Sequence, residues 1–279
     1  MGKYIPNTST EQKEMLKEIG FASFDELFSH VPKEVKLSAE LNIPSGKSEL
    51  EVRKIMTGMA KKNHVFPVIF RGAGAYRHFI PAIVKSVISK ENFLTSYTPY
   101  QAETSQGVLQ SIFEYQTMIC DITGMDVSNA SIYDGASAAA EAVNMCRERK
   151  RSKALVSALM HPDYISAIKT YCHGNGMEVE IIPEKNGLTD IDYIKAHADE
   201  GTAVVFIQHP NFHGNLEKAQ EIGEIAHEKG AKFGMSVNPI SLGLVKSPRE
   251  YGADVAVGDG QALGLPISFG GPYSGFMAC

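Results

Sequence analysis

The chain has 279 residues, longer than one average domain and within reach of a single large α/β domain. Its 43% apolar and 21% charged residues are ordinary for a soluble globular protein. A net charge of −5 leaves no electrostatic footprint for nucleic acid or for a membrane surface, and no apolar stretch approaches the length needed to cross a bilayer.

In chain order, the first 65 residues read as helical and peripheral. The N-terminus, Met1-Gly-Lys-Tyr-Ile-Pro6, lacks the apolar core of a signal peptide and fails the myristoylation pattern at Pro6. Thr10 followed by Glu11–Ile19 predicts a short capped helix, and Ser23 with Glu26 has capping-box spacing. Pro44-Ser-Gly-Lys47 breaks the chain before a longer helical stretch over about Ser48–Lys62. From about residue 104, with Thr104 or Ser105 as cap, Val108, Ile112, Tyr115, Ile119 and Ile122 form one apolar stripe, as an amphipathic helix requires.

Beyond that helix, short apolar runs alternate with helix-like stretches. The runs are Ala154–Ser157, Val179–Ile182, Ala203–Ile207, Phe233–Val237 and Val255–Val257; the helical stretches include Ala136–Arg149, Tyr164–Cys172 and Leu216–Lys229. Such alternation predicts crossover connections and a mostly parallel sheet covered on both faces, a three-layer α/β/α domain. The basic run Arg147-Glu-Arg-Lys-Arg151 reads as the solvated end of a helix, its cations offsetting the dipole. Cysteines 120, 146, 172 and 279 form no close pair and read as reduced thiols of a cytosolic protein. Gly72-Ala-Gly74 is half of a dinucleotide fingerprint, too little for a nucleotide site. His209-Pro-Asn-Phe-His213 has metal-like spacing, but Pro210 keeps the two rings off a shared helical face. A turn at the carboxyl end of a strand explains it better, and no metal is expected.

The densest chemistry lies in Ser96-Tyr-Thr-Pro-Tyr-Gln-Ala-Glu-Thr-Ser-Gln-Gly107, where phenols, hydroxyls, an amide and a carboxylate surround Pro99. This segment resembles the Ser-Tyr-Thr-Pro-Tyr-Gln-Ala-Glu element of glycine decarboxylase, the P-protein of the glycine cleavage system. Phe70-Arg-Gly-Ala-Gly-Ala-Tyr-Arg-His-Phe-Ile-Pro81, Tyr115-Gln-Thr-Met-Ile-Cys-Asp-Ile-Thr-Gly124, Val237-Asn-Pro-Ile-Ser-Leu-Gly243 and Gly258-Asp-Gly-Gln-Ala-Leu-Gly-Leu-Pro266 resemble the same family, in register along the whole chain. The match is to the first of the two subunits into which many bacteria and archaea split this enzyme.

The resemblance implies a helical N-terminal arm, residues 1–65, and the large domain of the aspartate-aminotransferase-like fold of pyridoxal-phosphate (PLP, fold type I) enzymes, residues 66–279. It also implies that a smaller C-terminal domain is missing after Phe276-Met-Ala-Cys279. Enzymes of this fold hold PLP through a lysine amine and keep its pyridine nitrogen protonated with an acidic side chain. By similarity to the catalytic subunit, the lysine slot falls five residues before Pro266, at Gln261, and the acidic slot falls near Asn238. Neither amide can do the corresponding chemistry. The phosphate cradle corresponds to Asp134-Gly-Ala-Ser-Ala-Ala-Ala-Glu141, where Asp134 reads as a helix cap that would repel phosphate.

The implied function is that of the non-lysine subunit of a heteromeric glycine dehydrogenase (aminomethyl-transferring) in the cytoplasm. Its partners would be the lysine-bearing, PLP-carrying subunit 2 and the lipoylated H-protein, with functional links to T-protein and L-protein. Ser96, Tyr97, Tyr100 and Gln101 would enter the partner's active site. A scaffold that supports the partner without touching its chemistry is the rival reading; burial of that loop within its own chain would favour it. Tyr76 and His78 read as packing residues or as further site groups.

Overall fold

The computed structural model describes residues 7–37, 39, 41–70, 72, 74–94 and 98–279. It divides into two compact units, Met1–Val68 and Ile69–Cys279.

The first unit holds α1 (Ser9–Glu18), α2 (Phe24–Leu27) and α3 (Glu49–Ala60). The cap of α1 is Thr8, two residues earlier than the sequence predicted. Its hydroxyl accepts from the Glu11 amide while the Glu11 carboxylate accepts from the Thr8 amide at 2.8 Å, a reciprocal capping box that explains why the helix starts there. Ser48 and Glu51 repeat the device at α3. At α2 only half of the expected box forms. The Ser23 hydroxyl takes the Glu26 amide, but the Glu26 carboxylate takes the amide of Ala22.

The second unit begins with α4 (Ala82–Ile88), α5 (Glu91–Leu94), α6 (Ala102–Thr123) and α7 (Gly135–Met145). Neither Thr104 nor Ser105 caps α6. The helix starts at Ala102 because the Gln101 carbonyl already accepts from the amides of Thr104 and Ser105, and Ser105 sits inside at a kink (φ −116°, ψ 21°). The predicted stripe faces inward nonetheless, with Ile119 buried and Tyr115 and Ile122 packed on the core. An α/β succession follows: β1 (Lys153–Ser157), α8 (Pro162–Asn175), β2 (Glu178–Ile182), a small hairpin β3 (Glu184–Lys185) and β4 (Leu188–Thr189), then α9 (Ile191–His197), β5 (Thr202–His209), α10 (Ala219–Glu228), β6 (Lys232–Val237), β7 (Val255–Asp259) and β8 (Gly275–Ala278).

The main sheet has the order β2-β1-β5-β6-β7-β8. All its pairs are parallel except β7 with β8. Side chains alternate between two apolar layers. Leu155, Val205, Ile207, Phe233 and Met235 pack with residues of α6, α9 and α10 on one face. Ala154, Val156, Val204, Phe206 and Val257 pack with α7 and α8 on the other. That is why the strands read as continuous apolar runs, and it makes the unit the expected three-layer α/β/α sandwich. The alanines of α7 (138, 139, 140 and 142) are fully buried, and their small side chains let the helix lie close to the sheet and to α8.

β8, which carries the apolar run Phe276-Met-Ala, is built into the sheet: Phe276 and Ala278 are buried, and the Asp126 and Val127 amides donate to the Cys279 carbonyl. The basic run does not extend α7, which stops at Met145. Arg151 reaches across to donate to the carbonyls of Thr202 (2.9 Å) and Lys229 (3.3 Å). All four cysteines are free thiols, with Cys146 and Cys172 buried; burial pushes the Cys146 thiol up to about 12. Among the described residues no helix is long and apolar enough to cross a membrane.

Candidate functional site

Open parallel sheets bind ligands at the carboxyl ends of their strands, beside the point where strand order reverses. Here that point lies between β1 and β5. A cavity of about 260 Å³ opens there, lined by residues that follow β1 (His161, Tyr164), end or follow β5 (Gln208, Asn211, Phe212), end or follow β6 (Ser236, Asn238) and end or follow β7 (Asp259, Gln261), with Gly74 and Tyr76 from the chain's earlier part.

Several polar groups of this cavity are engaged within the chain. His161 caps α8, its Nδ1 accepting from the Asp163 amide at 3.1 Å, which leaves the proton of the neutral ring on Nε2. The His161 amide donates to the Gln208 carboxamide oxygen at 2.8 Å. The ring is stacked on Tyr164 (centroids 5.2 Å apart) and edge-on to Phe212 (5.0 Å). The Tyr164 hydroxyl donates to Asp259 Oδ2 at 3.0 Å, and Asp259 Oδ1 accepts from the Gln261 amide at 3.1 Å. Burial pushes the Asp259 carboxyl above the usual range, against the opposing pull of these two hydrogen bonds. Burial raises the Tyr164 phenol well above its ordinary value, and the neighbouring Asp259 adds to it.

Gln261 is 4% exposed. Its carboxamide nitrogen donates to the Tyr76 carbonyl at 2.7 Å and more weakly to the Leu265 carbonyl at 3.4 Å, so the residue ties the 74–78 segment to the end of β7. Asn238 is exposed and forms a local turn, its Oδ1 accepting from the Ile240 amide at 3.0 Å. Asp134 caps α7, its Oδ1 accepting from the Ser137 amide at 2.7 Å.

The histidine pair builds a turn. His209 is buried, its Nδ1 accepting from the Glu217 amide at 3.1 Å, while His213 is exposed. Beside them lies a network that sequence reading missed. Asn211 donates to the buried Glu217 carboxylate at 2.8 Å and to the Gly187 carbonyl at 3.0 Å, and Glu217 accepts from the Thr189 amide at 3.0 Å. Its only signal was Asn186-Gly187, the usual two-residue hairpin turn, with φ of 57° and 77°. The Tyr164–Asp259 pair was missed too, since its members are 95 residues apart.

Of the residues expected to reach a partner, Ser96 and Tyr97 lie outside the described residues. Tyr100 is 86% exposed, and Gln101 is exposed with its backbone carbonyl engaged at the start of α6. Neither lines the chain's own cavity. Tyr76 is half-exposed and contributes its carbonyl to Gln261; His78 is partly buried.

This doubly covered, mostly parallel sheet with a polar cavity at its carboxyl edge has the fold of the large domain of fold-type I PLP-dependent enzymes. A solved NIFS-like protein shares the fold at a TM-score of 0.57 with 14% identity, over 75% of this chain and 57% of its own. The profile described as "Glycine cleavage system P-protein" matches residues 2–279, and the chain belongs to that family. It is 52% identical over 279 residues to a probable glycine dehydrogenase (decarboxylating) subunit 1 of Carboxydothermus hydrogenoformans, covering 99% of this chain and 63% of that protein. The counterpart in Desulforamulus reducens is 49% identical over 280 residues, with the same shares. A crystal structure of glycine decarboxylase (P-protein) of the glycine cleavage system, in inhibitor-bound form, superposes at a TM-score of 0.88 with 43% identity, covering 99% of this chain and 62% of that one. The chain thus spans a little under two thirds of the length of these relatives.

The residues present do not fit PLP as a resident cofactor. The position expected to carry the lysine holds a buried amide spent on two backbone carbonyls. The expected acidic position holds Asn238, turned into a local hydrogen bond.

Proposed function

We propose that this chain is the non-lysine subunit of a heteromeric glycine dehydrogenase (aminomethyl-transferring). In this reading a lysine-bearing subunit 2 carries PLP, which supplies the electron sink for glycine decarboxylation. The complex hands the aminomethyl group to the lipoyl arm of H-protein, in functional linkage with T-protein and L-protein. The cytoplasm is the expected compartment. The observation that carries the proposal is Gln261: within a family that matches the whole chain, the lysine position is filled by an amide built into the chain's own packing.

The role left to this chain is to present polar groups to the partner's site. Ser96, Tyr97, Tyr100 and Gln101 are assigned to that task, their hydroxyls and amides orienting glycine's carboxylate. The exposure of Tyr100 and Gln101 supports this over the scaffold reading, which called for the loop to be buried in its own chain.

The test is co-expression with the lysine-bearing subunit, restoring whatever further length the relatives carry. Exchange between glycine's carboxyl group and labelled CO₂ is then measured, with H-protein present. The assembled pair should exchange; this chain alone should not, and peptide mapping after PLP and borohydride should find no stoichiometric pyridoxyl-lysine at the cavity, beyond nonspecific labelling of exposed lysines. A stoichiometric, site-specific pyridoxyl-lysine at the cavity of the unaltered chain would sink the proposal.

A further inference from the structure

The missing lysine is not the only obstacle to a cofactor in this cavity. The first turn of α7 is where a helix N-terminus would hold a phosphate, with backbone amides and the positive end of the dipole. In this chain that turn is walled off. The cavity is lined by Tyr164, Asp259 and Gln261, and none of Asp134, Gly135, Ala136 or Ser137 is among its lining residues. The Tyr164 side chain stands in between: a β-carbon placed on Gly135 would lie 1.9 Å from the Tyr164 hydroxyl oxygen and 3.3 Å from the Asp259 β-carbon. Glycine at 135 is what lets the phenol come this close.

The wall is held in place from both sides. The phenol donates to Asp259 Oδ2 at 3.0 Å, and its ring is stacked on His161. Swinging it out would leave the partly buried Oδ2 of Asp259 without its donor, only Oδ1 keeping the Gln261 amide. The charges point the same way. A phosphate brings roughly −1.5 to −2 charges. It would meet the carboxylates of Asp134 and Asp259, with no lysine or arginine among the described lining residues to offset them. The Ser137 amide that it would use is already taken by Asp134.

We propose that Tyr164, held by Asp259, is a resident plug of the anion cradle at the start of α7, so that cofactor exclusion is built twice and a lysine restored at position 261 would not restore phosphate-directed PLP binding. This deepens the reading of Gln261 given above and adds a separate claim, since a chain lacking only the lysine would still hold PLP non-covalently through its phosphate.

The experiment uses the full chain and its variant Gln261→Lys, each checked for folding by circular dichroism and thermal melting. Each is treated with PLP or with pyridoxal, which lacks the phosphate. Borohydride trapping and peptide mapping then report the yield at position 261. The expected result is that Gln261→Lys traps PLP no more tightly than about threefold over pyridoxal, or traps neither; a preference for PLP of about tenfold or more, or 1.4 kcal/mol, overturns the plug. Adding Tyr164→Ala should move the preference toward PLP by about tenfold, and an unchanged preference in the folded double variant also overturns it. Tyr164→Ala alone gives a readout that needs no new lysine. Inorganic phosphate should raise its melting temperature and leave that of the unaltered chain unmoved, whereas the same response in both proteins overturns the proposal. The unaltered chain in the trapping series separates the two claims: a stoichiometric pyridoxyl-lysine mapped to its cavity strikes at the proposed function, while PLP preference confined to Gln261→Lys strikes only at the plug.

Discussion

The carboxyl-edge cavity and the segment from Thr98 to Gln101 hold similar chemistry and use it in opposite ways. In the cavity the phenol of Tyr164, the carboxylate of Asp259 and the amide of Gln261 are bonded to one another or to the chain's own backbone. At the segment the phenol of Tyr100 is 86% exposed and the side chain of Gln101 faces outward. Polar groups consumed in internal hydrogen bonds add stability and specificity to one chain; polar groups left outside can act only on something that arrives. The comparison teaches that the cavity turns its polar groups to its own chain, whereas among the described residues Tyr100 and Gln101 stand open to solvent.

The largest expected effect lies on the cavity side. Glu217→Ala removes the acceptor of two buried donors, the Asn211 amide and the Thr189 backbone amide, and should lower stability by about 3 kcal/mol, each stranded donor costing roughly 1–3. Urea unfolding of the chain measures it; a loss below about 0.5 kcal/mol would show that the network is dispensable.

Next comes the loop. In the assembled complex Tyr100→Phe, and likewise Tyr97→Phe, should lower the exchange rate about 10–100-fold, equal to about 1–3 kcal/mol, while the melting temperature of this chain stays put. Assembly is checked by gel filtration. Normal turnover in both assembled variants would return the loop to the scaffold reading.

A smaller effect is expected at Gln261. Gln261→Leu deletes the hydrogen bond to the Tyr76 carbonyl and should cost about 1 kcal/mol, read as a shifted urea midpoint, with accelerated proteolysis in the 74–78 segment. A variant as stable as the parent would mean that the amide is not what ties that segment down.

The smallest is a pH slope. Burial lowers the pKa of His209 below its ordinary value of 6.5, so the unfolded chain binds a proton more readily than the folded one. Stability from this group is therefore present above about pH 6.5 and is lost as pH falls toward the depressed folded value, with a slope of at most about one proton. Urea midpoints between pH 5 and 7.5 should show it, and His209→Gln should flatten that part of the profile relative to the parent.

Much of the fold is legible in the sequence. The five predicted core strands lie within one or two residues of the observed ones, because a strand buried on both faces must be apolar throughout and turn residues bound it. The start of α6 was misplaced because a free carbonyl at Gln101 outcompeted the hydroxyl caps at Thr104 and Ser105, a matter of local backbone direction that composition does not encode. The hairpin at residues 184–189 had its signal in Asn186-Gly187, but strands of two residues are too short to show a period.

By itself the sequence determined the layering of the large unit and the capping of α7 by Asp134. Each follows from residue type at a fixed local spacing. Only the tertiary structure decided what the polar groups of the cavity meet. Gln261 meets Tyr76 across 185 residues and Tyr164 meets Asp259 across 95, so their contacts depend on which strands lie side by side. No local pattern specifies that neighbourhood, because it is set by the crossover order of the sheet.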